Sequence, residues 1–136
     1  MEVQEARRFL EANHRAVLAT RQVGGGTQLT PVLATVDDQG RAIISTRETA
    51  YKTANLRRDP RASLCVMNDR FFGEWMQIDG TAEIVSLPEA MEPLVDYYRR
   101  VAGEHDDWDD YREAMSRQQR VLLRITVDHA GPDRRG

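Results

Sequence analysis

The stretch Ser45-Thr-Arg-Glu-Thr-Ala-Tyr-Lys-Thr-Ala-Asn-Leu-Arg-Arg-Asp-Pro60 links a predicted strand to a short predicted helix and contains the only lysine of the chain. The apolar residues 42–44 predict the strand, Thr49 is a suitable helix cap, and Asp59-Pro60 is typical of a helix end. Lys52 then falls in the first helical turn. That turn is the positive end of the helix dipole, so a cation there costs about 0.3 to 1 kcal/mol unless an anion binds nearby. The pattern predicts an anion site at Lys52, with a solvated surface charge as the alternative.

The overall composition limits the classes of protein that the chain can represent. Its 136 residues fit one domain, which we assign to residues 1–130, with residues 131–136 as a loose tail. The 22 acidic residues outnumber the 19 basic ones, so a nucleic-acid partner is not expected. No segment approaches the roughly 20 apolar residues of a membrane span, and the charged N-terminus lacks the apolar centre of a signal peptide. These features predict a cytoplasmic protein without a membrane partner.

Turn residues and period-two alternation divide most of the chain into strands. Gly24-Gly-Gly26 predicts a hairpin loop, and residues 37–40 predict a second turn. The six predicted strands are residues 16–21, 28–36, 42–46, 62–67, 74–84 and 121–127. The first three follow one another through short turns, which predicts a meander of adjacent antiparallel strands. Six strands with so few helices predict a mainly β, α+β fold built as a small barrel.

Residues 74–84 alternate clearly between a predicted core face and a polar face. The members predicted to face the core are Met76, Ile78, Gly80, Ala82 and Ile84. Residues 121–127 alternate equally well, with Leu122 and Arg124 predicted on the face away from the core. Trp75 interrupts the polar face of the earlier strand, where an aromatic side chain either covers a subunit interface or stacks beside a flat ring. Cys65, the only cysteine, lies in an apolar run and predicts a buried strand residue rather than a nucleophile.

Helical periodicity appears at the N-terminus and between the last two strands. Residues 3–10 place apolar side chains on one helix face. A second helix is predicted to begin at Pro88, a residue favoured in the first turn, and to stop at Gly103. A third helix is predicted over residues 108–117.

The acidic run at residues 104–110 separates these last two helices. Trp108 occupies the middle of the run, where a calcium loop requires a glycine, so we expect a helix start capped by Asp106 or Asp107. The three histidines are scattered along the chain and form no pattern of nucleophile and base. We therefore assign no catalytic residue and no metal site.

Several of these motifs together resemble a known family. They are residues 51–63, the preceding Ser45-Thr46, the strand end Ile78-Asp-Gly-Thr81, and the segments 97–115 and 120–123. This set resembles the flavin and deazaflavin split-barrel proteins related to pyridoxamine 5′-phosphate oxidase. The closer resemblance is to the actinobacterial branch that uses coenzyme F420.

The resemblance implies a homodimer of six-stranded antiparallel split β-barrels with peripheral helices, of the FMN-binding split-barrel type. It also implies a cofactor in a groove at each subunit interface. The implied cofactor-binding residues are Lys52 at the phosphate, Ser45 and Thr46 at the polar tail, Pro31, Val32, Leu33 and Ala34 along the ring, and Tyr51, Arg58 and Trp75 around them.

The chain departs from the family pattern immediately before the lysine. Relatives commonly carry an arginine one or two positions earlier, whereas this chain has Ala50 and Tyr51. Either the phosphate is held less tightly, or the missing charge comes from Arg47, Arg57 or Arg58. Arg57 and Arg58 are equally well explained as exposed surface charges.

The function implied by the resemblance is that of an oxidoreductase. Reduced F420 would transfer a hydride to an electron-poor double bond of a small organic substrate, and the protein would bind and orient the cofactor without needing a catalytic side chain. One alternative is an FMN-dependent enzyme like pyridoxamine-phosphate oxidase. The other is a non-catalytic carrier of F420 or FMN.

Overall fold

The computed structural model describes residues 1–132 and contains four helices and seven strands in that range. The helices are α1 (Val3–Ala12), α2 (Tyr51–Arg58), α3 (Met91–Ala102) and α4 (Trp108–Arg117). The strands are β1 (Arg15–Arg21), β2 (Thr27–Leu33), β3 (Thr35–Val36), β4 (Ala42–Arg47), β5 (Arg61–Met67), β6 (Trp75–Val85) and β7 (Arg120–Gly131).

All seven strands form one antiparallel sheet in the order β2-β1-β5-β6-β7-β4-β3. The two predicted hairpins are present, because β1 pairs with β2 and β3 pairs with β4. The sheet is nevertheless not a simple meander, since β5, β6 and β7 lie between β1 and β4. The strands at its two edges, β2 and β3, belong to one continuous segment, so the sheet curls until its edges meet.

The predicted strand 28–36 is divided at Ala34, which raises the strand count from six to seven. The Ala34 backbone N–H donates to the carbonyl of His14 at 2.8 Å, and the Ala34 carbonyl oxygen lies 2.9 Å from Nδ1 of the His14 ring. Both polar groups of Ala34 are therefore satisfied by His14 rather than by a neighbouring strand. The segment can change partners there, from β1 to β4. The predicted class, an α+β fold with a curled antiparallel sheet and peripheral helices, is confirmed.

Two apolar clusters hold the sheet and the helices together. The first fills the inside of the curled sheet and includes Met76 and Ile78 from β6, as their alternation predicts. The second packs α3 and α4 against the outer face of β4 and β7 around Ile43, Leu94 and Leu122. Leu122, predicted to face away from the core, is only 1% exposed, because the two helices cover that face. Cys65 is half-buried on β5 rather than fully buried.

Two predicted helix ends and one predicted helix start are correct, and two predicted helix starts are wrong. Asp59 and Gly103 end α2 and α3, and the Asp107 side chain accepts from the Asp110 N–H to cap α4. Thr49 does not cap α2, because the helix begins one residue later, with Ala50 in the cap position. The helix predicted to begin at Pro88 starts instead at Met91, since the residues before it form hydrogen-bonded turns.

The C-terminal end of β7 overlaps the predicted tail. Gly131 pairs with Gln77 on β6, so the strand extends beyond the predicted end at residue 127. Residues 133–136, which make up the rest of that tail, lie outside the described residues. Within residues 1–132, no helix is long and apolar enough to cross a membrane.

Candidate functional site

The connection from β4 to α2 places Lys52 beside the first residue of β7. The Arg47 carbonyl accepts from the Ala50 N–H at 3.1 Å and from the Thr53 hydroxyl at 2.6 Å, which closes the turn into α2. The Glu48 N–H donates to the Gln119 carbonyl at 2.8 Å. This bond ties the turn to the residue that precedes β7. As predicted, Lys52 lies in the first turn of α2, where no acidic residue offsets its charge.

Three cations meet at this point, and we call them the cationic cluster: Arg47, Lys52 and Arg120. Arg47 ends β4 and is the register partner of Arg120, which begins β7. The Arg120 Nε donates to the neutral Gln118 side chain at 2.9 Å. None of the three forms an ion pair with a carboxylate of residues 1–132. The cluster is therefore a concentration of positive charge that no carboxylate of the described residues pairs with.

The electrostatics of the cluster favour an anion. Burial, followed by the charge of Arg120, lowers the pKa of Lys52. Burial and the charge of Arg47 likewise lower the pKa of Arg120, while Tyr97 and Tyr111 act in the opposite direction. Both shifts report that the charged forms are disfavoured by lost hydration and by like-charge repulsion. A bound anion would relieve both effects.

Tyr97 connects the cationic cluster to two of the predicted cofactor-binding segments. Its hydroxyl donates to the Leu33 carbonyl at 2.8 Å, and the backbone of Ser45 lies close enough to lower the pKa of the phenol. Burial raises the pKa of Tyr97, and the nearby Arg120 lowers it. The phenol therefore bridges the end of β2 and the middle of β4 beside the cluster.

The structure brings part of the predicted site together. Leu33, Ser45 and Lys52 are connected through Tyr97 and Arg120. Pro31 and Leu33 are exposed, and the Ser45 side chain is half-buried. The remaining predicted side chains of these strands point towards the barrel interior: Val32, Ala34 and Thr46. Ala34 and Thr46 are fully buried and can reach a cofactor only through their backbone, whereas Val32 is half-buried.

Of the three arginines predicted as sources of the missing charge, only Arg47 lies in the cationic cluster. Arg57 binds both carboxylate oxygens of Glu48 at 2.7 and 2.6 Å. Arg58 donates to the Arg21 carbonyl at 2.6 Å, on the β1–β2 hairpin. Both side chains therefore have partners within the chain.

Tyr51 and Trp75 do not join the site within one chain. Tyr51 is 81% exposed at the start of α2. Trp75 pairs with Met67 at the beginning of β6, whereas Val85, at the other end of β6, pairs with Leu122, close to Arg120. The Trp75 side chain instead lines a cleft of about 600 Å³ that also includes Phe9 and Phe72.

Sequence reasoning missed two residues of this site, Arg120 and Tyr97. In the sequence, Arg120 and Tyr97 lie in segments that carry the family resemblance, but neither is assigned to cofactor binding. The signal for Arg120 is its position next to Arg47, which depends on the register between β4 and β7. That register cannot be derived from local periodicity.

Comparisons with known proteins agree with this architecture. A crystal structure of a conserved hypothetical protein from Mycobacterium tuberculosis is 29% identical, with a TM-score of 0.77 over 96% of this chain and 82% of that one. An F420 reductase is 17% identical, with a TM-score of 0.72 over 92% of this chain and 94% of that one. An FAD-binding protein from Mesorhizobium loti is 20% identical, with a TM-score of 0.67 over 96% of this chain and 92% of that one.

The family comparison covers almost all of the fold described above. The family model described as pyridoxamine 5′-phosphate oxidase matches residues 3–131, from the start of α1 to the end of β7. With this match and the curled antiparallel sheet that it spans, the chain belongs to the pyridoxamine 5′-phosphate oxidase family.

Proposed function

We propose that this protein is an F420-dependent oxidoreductase that reduces an electron-poor double bond of a small organic substrate. The observation that carries the proposal is the cationic cluster, which has no counter-ion among residues 1–132 and lies next to β2 and β4. A phosphate-bearing cofactor fits this donor set, because phosphate oxygens accept charge-assisted hydrogen bonds from lysine and arginine. The F420 reductase with the same fold supports this choice of cofactor.

Each predicted residue has a defined part in holding the cofactor. Lys52 would bind the phosphate, and the Ser45 hydroxyl would contact the polar tail beside it. The exposed Pro31 and Leu33 would pack against the ring, while Tyr97 holds the Leu33 carbonyl in place. The protein would thus contribute by binding the cofactor and orienting its ring.

The bound cofactor would supply the redox chemistry by donating a hydride to one carbon of the double bond. The other carbon takes a proton from solvent, so the substrate gains two hydrogen atoms and the cofactor is oxidised. The two cofactor-binding segments need only fix the angle at which the substrate approaches the ring. No side chain is assigned as a proton donor.

We further propose that two copies of the chain complete the site. The cofactor would lie in a groove between subunits, as the family resemblance implies. Trp75 is far from the cationic cluster of its own chain along β6, so its contribution to the groove requires the cluster of the partner. A cytoplasmic location remains part of this proposal.

A flavin enzyme is the second candidate, and the FAD-binding protein of the same fold favours it. The two candidates differ in a simple spectroscopic property of the purified protein. Flavin absorbance that survives gel filtration would support FMN or another flavin. Colourless protein that quenches the fluorescence of added F420 would support the deazaflavin. Binding without oxidation of reduced F420 by any of a panel of activated alkenes would indicate a carrier.

The proposed role of Lys52 predicts a specific loss of affinity. In Lys52→Ala, F420 binding should weaken by about 1.5 to 3 kcal/mol, because one charge-assisted contact to the phosphate is removed. Fluorescence titration measures this change, and thermal unfolding checks that the fold is intact. The control is Arg117→Ala, which removes an exposed cation from the end of α4. Equal affinity in Lys52→Ala and the unmodified protein would rule out Lys52 as the phosphate ligand.

A further inference from the structure

We infer that Arg120, the first residue of β7, supplies the second cation of the phosphate site. This inference rests on the proposed function, since it concerns the same ligand. It gives a source for the positive charge that is missing at Ala50 and Tyr51, where relatives commonly have an arginine. The missing charge comes from a distant strand rather than from the residues next to Lys52.

The hydrogen bonding of Arg120 leaves one side of its guanidinium available. Its Nε donates to the Gln118 side-chain oxygen at 2.9 Å, which fixes the orientation of the group. Its two terminal nitrogens form no hydrogen bond with residues 1–132. A guanidinium held in this way presents two parallel N–H donors, the geometry that binds a phosphate through two oxygens.

The backbone holds Arg120 next to the other two cations. Its register pairing with Arg47 across β4 and β7 places the two residues side by side on the same face of the sheet. The bond from the Glu48 N–H to the Gln119 carbonyl fixes the start of β7 against the turn that leads to Lys52. Three separate chain segments therefore contribute to one cluster.

The contrast with other arginines of the chain makes the missing counter-ion informative. Arg57, Arg61 and Arg112 each contact a carboxylate at 2.6 to 2.7 Å, even though they lie on the surface. Arg120 is half-buried, and its hydrogen-bond partner within residues 1–132 is the neutral Gln118 side chain. Half-buried like charges without a counter-ion are unfavourable. A ligand anion is the partner that the site lacks.

This arrangement predicts opposite effects of Arg120→Gln on stability and on binding. Removing the charge relieves repulsion with Arg47 and Lys52, so the ligand-free protein should melt at the same temperature or higher. Removing the guanidinium should weaken F420 binding about ten- to hundred-fold, because a charge-assisted contact is lost. If Arg120 had only a structural role, Arg120→Gln would lower both the melting temperature and the F420 affinity.

The experiment measures F420 affinity and melting temperature for the unmodified protein and three variants. Arg120→Gln should lose affinity, Arg120→Lys should recover part of it, and Arg117→Gln, an exposed arginine on α4, should bind like the unmodified protein. Unchanged F420 affinity in Arg120→Gln would overturn the inference and leave the proposed function standing.

A second arm uses inorganic phosphate, so the test does not depend on the identity of the cofactor. Phosphate should raise the melting temperature of the unmodified protein more than chloride at equal ionic strength, and this difference should shrink in Arg120→Gln. If neither F420 nor FMN binds the unmodified protein, the proposed function fails, and the phosphate arm still decides the role of Arg120. No specific effect of phosphate, or an equal effect in Arg120→Gln, would overturn the inference.

Discussion

Lys52 and Asp59 lie at opposite ends of α2, and their charges are in opposite situations. Lys52 is at the positive end of the helix without a counter-ion among the described residues. Asp59, at the other end, accepts from the Arg61 backbone and from two nitrogens of the Arg61 side chain. Asp59 therefore has its counter-ion within the chain, and under the proposed function the cofactor phosphate would be the counter-ion of Lys52.

The contact between Asp59 and Arg61 predicts a pH-dependent contribution to stability. Hydrogen bonds from Arg61 lower the pKa of Asp59 from 3.8 to about 2. Between these values the unfolded chain binds more protons than the folded one, so the contribution is complete above pH 3.8 and is lost as the pH falls towards 2. Arg61→Gln should raise the Asp59 pKa towards 3.8 and remove this part of the acid dependence.

NMR titration of the Asp59 carboxyl group measures this shift, and urea unfolding at several acidic pH values measures its effect on stability. The matched control is Arg8→Gln, which alters an exposed arginine of α1. If Asp59 still titrates near pH 2 in Arg61→Gln, Arg61 is not the cause of its low pKa.

At the scale of single elements, two irregularities allow the sheet to close. The break at Ala34 lets one segment pair with β1 and then with β4. A register shift at Asp79 and Gly80 interrupts the ladder between β6 and β7. Such a shift bends a strand and increases its twist. The end of β2 and the middle of β4, which both lie next to Tyr97, are brought together by this closure.

The close approach of β7 to Gly80 makes this position intolerant of a side chain. A Cβ atom there would lie 2.1 Å from the Thr126 carbonyl oxygen and 2.7 Å from Cγ2 of Ile125. Gly80→Ala should therefore lower the free energy of unfolding by about 1 to 3 kcal/mol, because backbone atoms must move.

Urea unfolding of Gly80→Ala tests this expectation against Gly26→Ala. A Cβ at Gly26 would come within 3 Å only of the end of the flexible Gln22 side chain. Gly26→Ala should therefore lower the free energy of unfolding clearly less than Gly80→Ala. Equal stability of Gly80→Ala and the unmodified protein would mean that the two strands are not packed as closely as the structure places them.

At the scale of the whole molecule, one face of the sheet exposes apolar side chains. Leu33 on β2, Met67 on β5 and Trp75 on β6 lie in one register row, with the charged Arg15 of β1 between Leu33 and Met67. Leu29, further along β2, is 67% exposed. Several exposed apolar side chains on one face are typical of an interface. The face therefore supports the proposed homodimer.

The proposed dimer predicts a solution mass of about twice the 15.5 kDa of the chain. Analytical ultracentrifugation measures it directly. Leu29→Glu should shift the protein towards the monomer, because a buried charge at an interface is costly. Val23→Glu, at an exposed position in the loop between β1 and β2, is the matched control and should stay dimeric. A monomeric unmodified protein would contradict the dimer and the shared groove.

The success of the sequence-based predictions follows the range of the interactions involved. The core-facing row of β6 and the ends of α2 and α3 depend on residues close together in the chain and were predicted correctly, and the cap of α4 is one of the two aspartates predicted for it. The starts of α2 and α3 were misplaced by one and three residues, because turns compete with the first helical turn. The division at Ala34 was missed, since it depends on His14, twenty residues away.

The sequence by itself determined the fold class and the position of Lys52 at the start of a helix, because alternation and helix ends are local properties of the chain. Only the tertiary structure decided which charges share the site. Arg57 and Arg58 are close to Lys52 in sequence but bind other groups, whereas Arg120 reaches the cluster through strand pairing. The physical reason is that charges interact through space, and the register of β4 against β7 is set by packing of the whole sheet.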